Sequence, residues 1–166
     1  KTCNDTGYIG QTNKPCSCRL LKRESLRGSD GINARETFAN FSTDLFPSPE
    51  QKKRTINAKL ICEQFASSLP NPEKPSILLF GTPGLGKSFL GNAIAYEALS
   101  RGIDAERVTA YAFIQTVLLD IREQSQKAAR YQNVPLLVLD DLGSEPVIPN
   151  VSFEWLFAVI NERTLA

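Results

Sequence analysis

The sequence has 166 residues, 19 Lys and Arg against 18 Asp and Glu, a formal net charge of +1, and 42% apolar residues. That suits one globular core with a small appendage, and is marginal for two full domains. There is no histidine, which excludes Ser-His and Cys-His nucleophile pairs and any metal site built on imidazole.

The charge is uneven along the chain. Residues 1–75 hold 12 Lys and Arg against 8 Asp and Glu, and residues 76–166 hold 7 against 10, so the two parts carry +4 and −3. A basic front is compatible with a nucleic-acid contact there, and equally with two ordinarily solvated surfaces. No stretch approaches the roughly 18–20 apolar residues of a membrane span. The polar start, Lys1 to Gly7, has no signal-peptide core. The expected location is therefore the cytoplasm, with no membrane partner, and the four cysteines (Cys3, Cys16, Cys18 and Cys62) are not expected to form a disulfide framework.

Residues 1–28 form a polar, cysteine-containing segment broken by Gly7, Gly10 and Pro15, with a short helix expected over Leu20–Leu26. Residues 29–49 read as an irregular linker in which the aromatics Phe38 and Phe41 stand out. Residues 50–166 carry the core. From Pro49 to Leu69 the apolar residues Ile56, Leu60, Ile61, Phe65 and Leu69 recur at helical spacing, and Pro70, Pro72 and Pro75 end the run. Ser76–Phe80 reads as a buried strand, and Lys87–Arg101 as a helix closed by Gly102. Arg107–Ala110 is a second strand. Phe113, Val117, Leu118 and Ile121 stripe the next helix, and the charged run Glu123–Arg130 reads as its extension. Val134–Leu139 is a third strand, Gly143–Asn150 a loop, and Phe153, Leu156, Phe157 and Ile160 mark a last helix. Alternating strands and helices predict a parallel sheet flanked by helices.

Between the first strand and its helix lies Gly81-Thr82-Pro83-Gly84-Leu85-Gly86-Lys87-Ser88, which matches the phosphate-binding loop G-x-x-x-x-G-K-[ST] at every fixed position, in the strand–loop–helix context the motif requires. Glycines allow a tight turn whose amides converge on phosphate oxygens, and the helix N-terminus beginning at Lys87 adds its dipole. Lys87 supplies a charge for the β- and γ-phosphates, and Ser88 a hydroxyl ligand for Mg²⁺. Phe89 continues the nucleotide-binding run. The strand ending in Asp140-Asp141 places a carboxylate at the ligand-binding edge of a parallel sheet. Asp140 is the expected Mg²⁺ holder, directly or through water. Asp141 or Glu145 is the residue that polarises the attacking water, and the sequence does not choose between them.

Three stretches taken together, Gly81-Thr-Pro-Gly-Leu-Gly-Lys-Ser-Phe-Leu90, Asp140-Asp-Leu-Gly-Ser-Glu145, and the preface Cys3-Asn-Asp-Thr-Gly-Tyr8 with Cys16-Ser-Cys18 and Thr37-Phe-Ala-Asn-Phe41, resemble the DnaC/DnaI family of bacterial and phage helicase loaders. These are AAA+ ATPases, with the transposition ATPase IstB as a close relative. The resemblance implies a P-loop NTPase core using ATP or ADP with Mg²⁺, a Walker A motif at Gly81–Ser88 and a Walker B motif at Leu136–Asp141. It implies self-association through the nucleotide interface, a hexameric DnaB-type helicase as partner of the N-terminal part, and single-stranded DNA as partner of the core. It also puts Phe38 and Phe41 near the adenine, where either ring packs on the base or merely anchors the linker. The family's cysteines suggest a zinc module; Cys3, Cys16 and Cys18 are either part of one or plain thiols, since tetrahedral zinc needs four ligands. Cys62 falls on the helix face beside Ile61 and reads as a small buried thiol. The chain ends at Ala166, before the sensor strand and arginine finger the resemblance calls for, and Arg163 is not that finger by position. Nucleotide binding is therefore expected to be more robust than hydrolysis.

Overall fold

The computed structural model describes residues 31–46 and 48–165. The cysteines Cys3, Cys16 and Cys18, and the expected helix over Leu20–Leu26, lie outside them.

Helix α1, Pro49–Ser68, begins where Ser48 accepts a hydrogen bond from the amide of Gln51 and Pro49 occupies the first turn, the favoured chemistry for a helix start. Its far end is tied down by Arg101, whose guanidinium donates to the carbonyls of Ala66, Ser67 and Leu69; these are the orphan acceptors of a helix C-terminus. The buried face of α1 differs from the expected one. Thr55, Cys62 and Ala66 point inward, while Ile56, Leu60 and Ile61 are 40–50% exposed. A helix with apolar residues on several faces buries the one its neighbours cover. Here that is the small-residue face, which lies against α2.

Helix α2, Lys87–Ser100, is the centre of the molecule, with eight buried residues from Leu90 to Leu99. Strand β1, Ala105–Thr109, follows, then helix α3, Ala110–Glu123, capped by the Thr109 hydroxyl on the amide of Ala112. The expected extension of α3 is absent. Gln124 turns left-handed (φ 54°) and a separate short helix α4 spans Ala129–Asn133. Asp120 causes the break: its carboxylate accepts from the Ser125 hydroxyl and from the amides of Lys127 and Ala128, giving those backbone donors a partner outside a helix. Within α3, Ile121 is 55% exposed rather than part of the buried stripe. Strand β2, Leu136–Asp140, pairs parallel with β1, Ala105 opposite Leu136 and Thr109 opposite Asp140. Helix α5, Ser152–Leu165, closes the described chain and buries Ser152, Leu156 and Val159, leaving Phe153 and Phe157 exposed as a stacked pair.

The alternation of the strands sorts the core into two layers. Leu136 and Val138 face α1 and α2 together with Ala105, Ile32 and Phe41. Leu137 and Leu139 face the other way with Val108, against Phe113, Val117, Tyr131, Leu156 and Val159. Gly91 lets α2 approach the sheet closely, since a Cβ there would stand 3.0 Å from Val138. Arg163 locks the second layer by donating to four carbonyls, of Tyr131, Gln132, Val134 and Pro135.

One expected strand is not found. Residues 76–80 join no sheet, and among the described residues the sheet has two strands, β1 and β2. A strand exists by virtue of its neighbours' hydrogen bonds, and this segment pairs with no strand among the described residues. Leu79 still packs against the first layer, but Leu78 and Phe80 are 72% and 86% exposed.

Candidate functional site

The glycine loop joins residues 76–80 to α2. Gly81, Gly84 and Gly86 all adopt positive φ (142°, 84° and 78°), and Gly86 is the residue from which α2 departs. A side chain at Gly86 is doubly excluded: its backbone is left-handed, and its Cβ would lie 2.7 Å from the ring of Phe41. Lys87 folds back over the loop, its ammonium donating to the carbonyls of Gly81 at 2.9 Å and Thr82 at 3.0 Å. The first amides of α2 and this ammonium thus belong to one concave, donor-rich turn, the chemistry an oxyanion requires.

Strand parity brings the second part of the site together. Asp140 shares a face with Leu136 and Val138, so its side chain emerges on the side of α2. Ser88, in the first turn of α2, donates its hydroxyl to Oδ1 of Asp140 at 3.1 Å, and the amide of Asp141 donates to the same oxygen at 3.0 Å. Oδ2 accepts from Arg107 of β1 at 2.7 Å. A hydroxyl oxygen and a carboxylate on adjacent elements are hard oxygen donors of the kind Mg²⁺ takes, so the residues fit that ion. Asp141 is exposed and left-handed (φ 52°). Glu145 turns back onto its own loop and accepts from the amide of Gly143 at 2.7 Å.

Beside the loop lies an open cavity of about 390 Å³, walled by Phe41, Leu45 and Phe46 of the linker, Gln51 of α1, the turn Thr82–Gly86, and Phe89. Phe41 is 8% exposed and meets Phe89 edge to face, with ring centroids 5.3 Å apart. Of the two aromatics expected near the base, Phe41 lines this cavity and Phe38 does not; Phe38, in a short 3₁₀ turn with Ala39 and Asn40, packs against the core. The linker is far from irregular, because Asn92 of α2 pins it. This fully buried amide accepts from the Asn33 amide at 2.8 Å and donates to the carbonyls of Asn33 and Glu36. Sequence inspection passed over Asn92, Leu45, Phe46, Gln51 and Arg107. A polar residue inside an otherwise apolar helix marks Asn92, and an arginine inside an apolar strand marks Arg107. Nothing local marks the other three.

Cys62 is fully buried in the first layer; burial, with the charge of Glu63 second, pushes its thiol up to about 11. No cluster of metal-ligating side chains occurs among the described residues, beyond which Cys3, Cys16 and Cys18 lie. No helix among the described residues is long and apolar enough to cross a membrane.

Comparison with known proteins decides the family. Residues 37–165 match the model of the IstB-like ATP-binding proteins. The chain belongs to that family. It is 35% identical over 92 residues to the ATP-binding protein of insertion sequence IS5376 from Geobacillus stearothermophilus, a match covering 54% of this chain and 36% of that one. The chain thus spans about a third of that relative's length. Its fold is similar to AMPPCP-bound DnaA from Aquifex aeolicus, with a TM-score of 0.63 at 25% identity, covering 81% of this chain and 40% of that one. The IstB-like chain is accordingly an ATP-binding protein with the AAA+ P-loop NTPase fold.

Proposed function

We propose that this IstB-like chain is the ATP-binding core of a loader that delivers a ring-shaped DnaB-type helicase onto single-stranded DNA, with nucleotide state signalled through the linker. The observation that carries this reading is the contact of Phe41 with Gly86, backed by the Asn92 pin: the segment leading from the N-terminal part rests directly on the phosphate loop. A change in the loop on binding or losing the γ-phosphate is felt by Phe41, and so by whatever the N-terminal part holds. The cysteine preface and the Asp140-to-Glu145 run favour the loader.

In this reading the turn Gly81–Ser88 holds the phosphates, Lys87 exchanging its carbonyl partners for β- and γ-phosphate oxygens. Mg²⁺ would be held by Ser88 and Asp140, where it would supply charge neutralisation at the phosphates. Ser88 would offer its oxygen to the ion while its hydroxyl proton remains hydrogen-bonded to Asp140. Phe41, Phe46 and Gln51 receive the base. Asp141 orients and deprotonates the attacking water, whereas Glu145, engaged by the Gly143 amide, shapes the loop. Self-association completes the site.

Capture of the full-length protein by the replicative helicase tests the loader role. Association that differs between ATP and ADP is expected; equal, nucleotide-blind capture or none contradicts it. The insertion-sequence relative favours a second reading, a transposition ATPase partnered by a transposase. Association with a transposase encoded beside it, and none with the helicase, would select that reading.

A further inference from the structure

We propose that Arg107 is a positioning residue for the Mg²⁺ site, acting through Asp140. The inference rests on Mg²⁺ at Ser88 and Asp140 and is independent of the loader reading.

The geometry follows from the sheet. Arg107 lies opposite Val138 and Thr109 opposite Asp140, so Arg107 is the diagonal neighbour of Asp140, on the same face of the sheet. Its guanidinium reaches Oδ2 at 2.7 Å, with the two side chains only 19% and 12% exposed. A pair this shielded is little weakened by solvent, and removing one member strands the other's charge. The three contacts on Asp140 divide its carboxylate: Arg107 takes Oδ2, and Ser88 and the Asp141 amide take Oδ1. Oδ1 therefore faces Ser88 because Oδ2 is anchored. The Ser88 proton points at Asp140, and its lone pairs are left for a cation. Without the anchor only the Ser88 hydroxyl and the Asp141 amide hold the carboxylate, both through Oδ1, and the hydroxyl's acceptor is less firmly fixed.

A second observation sets Arg107 apart from an ordinary ion pair. Its Nε is buried and without a hydrogen-bond partner. Such an atom calls for an explanation. Nε and Nη2 lie on one edge of the guanidinium plane, the edge that grips a carboxylate with two bonds. One of those bonds is made and the other donor is held ready, so the carboxylate can move along the edge as a cation is bound without leaving its anchor. Lysine, a point charge with no such edge, keeps the charge but not this travel.

The guanidinium also repels a dication, so the sign of the effect is a real test. Binding of a fluorescent ATP analogue to the full-length protein is measured across a Mg²⁺ titration and in EDTA. Arg107→Gln is expected to need about 10–100-fold more Mg²⁺ for half-maximal tightening, the usual loss for an outer partner of a metal ligand. Its affinity in EDTA stays that of the wild type, and Arg107→Lys lies between the two. An unchanged or lower Mg²⁺ requirement in Arg107→Gln, or an equal loss in EDTA, overturns the proposal. If thermal melting shows that Arg107→Gln does not fold, Arg107→Lys decides: a raised Mg²⁺ midpoint with intact EDTA affinity supports the role, and a wild-type midpoint overturns it. Wild-type binding indifferent to Mg²⁺ would remove the ion from this site and the role of Arg107 with it.

Discussion

The ring of Phe41 lies against Gly86, so close that a Cβ on that glycine would stand 2.7 Å from the ring. One contact thus joins the linker to the turn that carries Lys87 and Ser88. Gly86→Ala tests it. The left-handed backbone (φ 78°) costs an alanine roughly 1–2 kcal/mol, and the methyl must displace Phe41. We expect a lower melting temperature and weaker ATP binding, read by thermal melting and analogue titration. A variant with wild-type values in both would show that the ring yields freely.

Asn92 holds the same linker from beneath. Asn92→Leu keeps the branched shape, with somewhat larger methyl ends, but removes three hydrogen bonds and leaves the amide of Asn33 and two carbonyls without their partner. Each group left unsatisfied costs about 1–3 kcal/mol. The expected result is a marked loss of stability and faster amide hydrogen exchange over residues 31–41. Unchanged exchange there would contradict the pinning.

Asp141 and Glu145 are separable by turnover. Asp141→Asn in the full-length protein is expected to abolish ATP hydrolysis while ATP affinity persists. Glu145→Gln, which retains a carbonyl oxygen for the Gly143 amide, is expected to keep most of it. The reverse ranking would assign the water to Glu145.

The hydrogen bond from Ser125, with the Ala128 and Lys127 amides, holds the Asp120 carboxyl below its ordinary range. A depressed folded pKa means the unfolded chain binds more protons. The stabilisation is present above the unfolded aspartate value, near pH 4, and is lost as pH falls through the lower folded value. Asp120→Asn should therefore lower the melting temperature at pH 7, with the difference from wild type shrinking under acid. A pH-independent difference would contradict this origin. At the other extreme, Cys62, buried and raised to about 11, should resist iodoacetamide at neutral pH until the protein is unfolded, because the thiolate is the reactive form. Peptide mapping of the labelled protein checks this.

The loop, the carboxylate-tipped strand β2 and the helices α1, α2, α3 and α5 were legible from spacing and motif, because those signals are local. Which face of a helix is buried was not. Ile56, Leu60 and Ile61 look like the core stripe of α1, yet α2 covers Cys62 and Ala66; only the neighbour decides. Residues 76–80 read as a strand by apolarity alone, but pairing makes a strand, and β2 pairs with β1. The break after α3 was hidden because Asp120 reaches forward eight residues to the Ala128 amide. In the site, Lys87, Ser88 and Asp140 carry a motif. Arg107 and Asn92 act across 33 and up to 59 residues of sequence, and only the fold brings them there.

The most direct test of the whole account is ATP binding by Lys87→Ala. The ammonium now on the Gly81 and Thr82 carbonyls is assigned to the phosphates, and losing a charge-assisted contact of that kind costs about 1.5–3 kcal/mol. Titration of wild type and variant with a fluorescent ATP analogue in Mg²⁺ should show at least a tenfold weaker variant with an unchanged melting temperature in the absence of nucleotide. Equal affinity in the two proteins would place the nucleotide elsewhere and contradict the site from its first residue.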